Sequence, residues 1–136
     1  MSNTVPSVLI VAKPVPTIYF VLKLLLIIVR SLGFLPHWVL PNDFKLSLVD
    51  DRKAIIFVPA TDDEVRQVVE MVLELNARSP PVLATRIILI NQAMLECLKS
   101  EGLELADERI IIGLDKDQIA KRWLRFFLVG SPHCSC

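Results

Sequence analysis

"TIYFVLKLLLIIVRSLGF", residues 17–34, is the most apolar stretch of the chain, yet it contains Lys23 and Arg30. Either it spans a membrane or it packs inside a water-soluble fold. Residues 17–36 have the length of a span, which needs about twenty predominantly apolar residues. A cation near the bilayer centre costs at least ~2.5 kcal/mol on insertion scales. Lys23 and Arg30 are seven residues apart, so on a helix they project from nearly one side, with Tyr19 beside them. A single charged edge on an apolar helix suits packing against a sheet, with the charged tips reaching water. By this geometry Leu26 lies near the charged edge and Ile28 well away from it.

The flanking sequence supports the packed helix. SVLIVA (7–12) is a short β-branched run closed by Lys13 and Pro14, and reads as a buried strand. After the helix, GFLPHWVLPND (33–43) is broken by Pro36 and Pro41 and reads as a connection. KLSLVD (45–50) alternates and reads as a strand, joined to KAIIFV (53–58) by a tight turn, which gives one antiparallel hairpin. TDDEVRQVVEMVLELNAR (61–78) is the clearest helix. Thr61 and Glu64 fit a capping box, and Asp62 and Asp63 suit the positive end of the helix dipole. TRIILI (85–90) is a strand, followed by a helix with Asn91 as N-cap and Gly102 as its stop. RIIIG (109–113) is a further strand, and Asp115 caps a last helix whose inner side carries Ile119, Trp123 and Phe127.

Continuous Ile, Val and Leu strands alternating with helices predict a mostly parallel sheet covered on both faces. The expected architecture is a three-layer α/β domain, Rossmann-like or flavodoxin-like, over residues 1–130, with a flexible tail at 131–136. The alternative is a membrane-anchored chain with its span near 17–36 and a small cytosolic α/β part.

Composition narrows the function classes. The chain has 136 residues, 53% of them hydrophobic, with 15 basic and 15 acidic side chains. Zero net charge argues against nucleic acid, which needs a concentrated positive surface. It also leaves little charge to oppose self-association. Three cysteines in no framework spacing, and no N-x-Ser/Thr acceptor site, predict a reducing, cytoplasmic setting. The N-terminus lacks the features of a secretory signal.

Candidate site residues follow from the fold. Open α/β sheets bind ligands beyond the carboxyl ends of their strands. Those ends are expected to carry Lys13, Asp50, Asp51, Thr61, Asp62, Asn91 and Asp115. Such a cleft can take a small polar ligand, although Thr61, Asn91 and Asp115 also stand where helix caps belong. The four glycines form no phosphate cradle, and VAKPVPT after the first strand has prolines in its place. No cofactor is expected. LVDD (48–51) resembles the acidic pair of response-regulator receiver domains over four residues. A receiver has a helix directly after that strand, whereas KAIIFV reads as another strand. His133, Cys134 and Cys136 give three soft ligands on a tail, where a structural zinc site takes four on ordered backbone. The closing C-x-C also resembles the doubly prenylated end of some small GTPases. No metal is expected, and Cys97 and His37 read as packing residues.

These features predict a non-enzymatic domain acting through a protein partner or as a homo-oligomer. A small-ligand or enzyme domain using the strand-end cleft is the alternative. The agreement among caps, proline stops and buried strands also fits a chain engineered for its fold alone.

Overall fold

The computed structural model describes residues 6–49, 52–77, 84–102, 110–113 and 117. Its elements run β1 (Ser7–Ala12), α1 (Pro16–Ser31), β2 (Leu35–Val39), β3 (Arg52–Val58), α2 (Asp62–Ala77), β4 (Ala84–Leu89), α3 (Gln92–Ser100) and β5 (Ile110–Ile112). The five strands form one sheet in the order β2-β1-β3-β4-β5, and every adjacent pair is parallel.

Burial on both faces explains the continuous apolar strands. Alternate residues of β1 point to opposite sides. Val8, Ile10 and Ala12 join α1, together with Ala54, Ile56 and Val58 of β3. Leu9 and Val11 face the other way with Ile55 and Phe57, under α2 and α3. This is the expected three-layer α/β arrangement. The order 2-1-3-4-5 is that of flavodoxin-type doubly wound sheets, not the Rossmann order. The match is not complete, because the β2–β3 connection carries two 3-10 turns, Pro41–Asp43 and Leu46–Val49, where such sheets have a helix.

The opening stretch forms all but the first residue of the 16-residue helix α1 and the turn that follows it. Gly33 ends the helix at φ 91°, the left-handed conformation of a helix C-terminus. Its N–H donates to Arg30 O (3.1 Å), and the Phe34 N–H donates to Val29 O (3.1 Å). The chain then turns directly into β2, so residues 17–36 are not one helical span. Among the described residues no helix is long and apolar enough to cross a membrane. Ile18, Val21, Leu22, Leu25 and Val29 are buried against the sheet, each worth roughly 1.5–3 kcal/mol. Lys23 and Arg30 are exposed together, as their spacing predicts. Ile28 is only half-buried, because the buried side is centred near Leu25 and Ile28 lies about 60° around the helix from it. A Cβ at Gly33 would meet nothing within 4 Å, so the cost of Gly33→Ala is purely conformational. It should lower stability by about 1 kcal/mol in denaturant titration.

Two expectations between α1 and β3 need correction. The segment read as a connection holds β2, and the segment read as a strand forms the 3-10 turn Leu46–Val49. Among the described residues no antiparallel hairpin forms, because both edges of β3 are already taken by β1 and β4. Pro36 is tolerated because β2 is an edge strand. The Leu35 N–H donates inward to Pro6 O (3.0 Å), so alternation turns Pro36 to the open side, where it has no N–H to offer. The returning chain packs over the α2/α3 face. Val49 is buried there, and the Phe44 ring tilts onto Phe57 with centroids 6.0 Å apart.

Candidate functional site

Chain direction across the sheet reverses between β1 and β3: β2 lies to one side, β4 and β5 to the other. The carboxyl ends of β1 and β3 therefore flank a topological switch point, where doubly wound sheets place ligands. Lys13 follows β1, and Ala60 and Thr61 follow β3.

These ends are held together by Glu64, a buried acidic residue only 6% exposed. Its Oε1 accepts from the Ala60 N–H (3.0 Å), and its own N–H donates to Thr61 Oγ1 (3.2 Å). This is the expected capping box, with the returning carboxylate reaching the residue before Thr61. Glu64 Oε2 lies 3.9 Å from Lys13 Nζ. One backbone N–H and one cation thus offset the cost of burying the carboxylate. Nearby, the Trp38 Nε1–H donates to Ala12 O (2.8 Å), fastening the edge strand to the end of β1.

The other expected site residues divide clearly. Asn91 Oδ1 accepts from the Met94 N–H (3.1 Å) and caps α3. Asp62 is exposed in the first turn of α2. Asp50, Asp51 and Asp115 lie outside the described residues, as do His133, Cys134 and Cys136. The strand expected to end in Asp50 is instead the turn at 46–49. The structure therefore joins Lys13 and Thr61 through Glu64, and shows Asn91 committed to its own helix. Among the described residues, no group of three or more His, Cys, Asp or Glu could hold a metal ion. On the helical surface, Arg66 pairs with Asp63 (2.7 Å) and Glu101 (3.4 Å). Its pKa is raised by Cys97 first and then by Glu101 and Asp63, against the opposing pull of desolvation. It remains a cation throughout.

Sequence reasoning named Glu64 as a cap but missed its pairing with Lys13, fifty-one residues earlier. It also missed Arg52, which ties the starts of β1 and β3 to β2 and to the 46–49 turn. Arg52 Nε–H donates to Leu48 O (2.8 Å), one Nη donates to Ser7 Oγ (2.9 Å), and the other faces His37 Nδ1. No spacing signals such contacts, because only the strand order brings those segments together.

Thr61→Ala should cost about 1 kcal/mol, the usual loss for an N-cap. Lys13→Ala should cost less, ~0–1 kcal/mol, because half of the Lys13 side chain is in water. Thermal melts of both variants check the order.

A second feature is the outer side of α1. Tyr19, Phe20 and Ile27 are 48%, 49% and 61% exposed, and Lys23 and Arg30 are exposed among them. The Lys23 ammonium lies 5.4 Å from the Tyr19 ring centroid, within range of a cation–π contact.

Comparison of the chain with protein-family models, with curated proteins and with solved structures found no match.

Proposed function

We propose that this chain is a non-enzymatic partner-binding domain whose docking surface is the outer face of α1. The observation that carries the reading is the exposure of Tyr19, Phe20 and Ile27 on one side of one helix. Large apolar side chains scattered singly need no explanation, whereas a contiguous set marks an interaction surface. The strand-end crevice supports a small-ligand reading by its position alone. Its side chains Thr61, Asn91 and Glu64 are already committed to caps and an ion pair.

The test is binding of fluorescently labelled amphipathic helical peptides, acidic and basic, to the full chain. Phe20→Ser with Ile27→Ser should abolish binding and leave the thermal melt nearly unchanged, within about 0.5 kcal/mol. A wild-type protein that binds none of the peptides, or a double variant that binds them equally well, overturns the reading.

A further inference from the structure

We infer that the partner of this face is an amphipathic helix bearing carboxylates, and not a second copy of the chain; the inference rests on the docking surface just proposed. Tyr19 and Phe20 form the two long edges of the face, about 100° apart around the helix. Lys23, Ile27 and Arg30 project between them. Those two cations are the only charges on α1, whose sequence PTIYFVLKLLLIIVRS contains no acidic residue. Among the described residues, neither has a carboxylate within ion-pair distance. Lys23 has only the Tyr19 ring.

The charges choose the occupant. A two-fold dimer that seats Phe20 on the partner copy's Ile27 has its axis midway between these positions. That places Lys23 against its own symmetry mate. A parallel pairing sets both cations against their copies. An acidic helix has no such conflict. Carboxylates seven residues apart are about 10 Å apart along their helix, which matches the spacing of Lys23 and Arg30. Apolar residues between them, at i, i+3, i+4 and i+7, would cover Phe20 and Ile27 in the manner of helix-in-groove recognition. An anionic lipid surface would be served by a cluster of roughly four to eight basic residues, and this face has two. The adjoining sheet edge offers little, because Pro36 removes a donor from the open side of β2.

The experiment uses the full chain and two synthetic helices with the same leucine face. One carries Glu and the other Lys at two flanking positions seven residues apart. Vesicles of phosphatidylserine and phosphatidylcholine form a third arm, and light scattering of the protein alone a fourth. The Glu helix should bind about tenfold more tightly than the Lys helix, the effect of two exposed ion pairs. The difference should shrink as salt is added. Lys23→Glu with Arg30→Glu should reverse the preference; if that variant does not fold, Lys23→Gln with Arg30→Gln should abolish it. Equal binding of both helices, or a preference unmoved by either variant, overturns the acidic partner while leaving the docking surface intact. Binding to vesicles alone, or a dimer that excludes both helices, overturns it in favour of lipid or a second copy. Binding of nothing by the wild type defeats the docking surface itself.

Discussion

Leu25→Asp is expected to abolish the native fold. Leu25 is fully buried at the centre of the α1 contact with the sheet, among Val21, Leu22 and Val29. A carboxylate there must lose its water without a partner or be held protonated. Either course costs several kcal/mol, and the lost leucine packing adds about 2–5 kcal/mol. The sum is comparable to the whole stability of an ordinary domain, roughly 5–15 kcal/mol. Ile27→Asp, two residues away, changes the most exposed apolar position of the helix and should leave the fold intact. Circular dichroism and thermal melting of the two variants give a direct contrast. A folded Leu25→Asp protein would mean that α1 does not lie on the sheet through this side.

Phe57→Ala should lower the unfolding free energy by about 3–5 kcal/mol. Phe57 is among the largest fully buried side chains and sits in β3, the central strand of the five. It packs under α2 and supports the Phe44 ring from the β2–β3 connection. Truncation therefore opens a cavity in one layer and loosens the segment that closes it. Phe44→Ala should cost less, because Phe44 is only partly buried. Urea titrations should show the midpoint falling with an unchanged slope. Equal losses at the two positions would count against this ranking.

The regular parts of this fold were legible because local signals agree with burial. SVLIVA gives the bounds of β1, and Thr61, Glu64 and Asn91 mark the starts of α2 and α3. The charged edge of α1 was legible from the spacing of Lys23 and Arg30. The buried side was less so: periodicity puts Ile28 well away from the cations, but Leu25 lies equally far from them, and it is Leu25 that the sheet covers. The region 33–51 misled because its structure is tertiary. Pro36 reads as a break unless the strand lies at an edge, and KLSLVD alternates like a strand although both edges of β3 are taken by β1 and β4. The strand-end residues were placed by fold analogy. Of those described, the structure returns two capping residues, an exposed first-turn aspartate and one half of an ion pair. The pairing of Lys13 with Glu64 depends on β1 lying beside β3, which no local pattern reports.

That neighbourhood also bears on how the chain comes together. β1 is the first strand in sequence, yet it occupies the interior of the sheet between β2 and β3. Its inner partners, such as Ile10 with Ile56, are forty-six residues apart. Closing so long a loop precedes any gain from the contact, which slows folding relative to local hairpins or helix pairs. During synthesis the run Val8–Val11 leaves the ribosome well before the strand that covers one side of it. A fragment ending after β2 keeps that side open, with unpaired amides beside a continuous apolar surface, and such an edge is a template for aggregation. Chain growth through Val58 is what closes it.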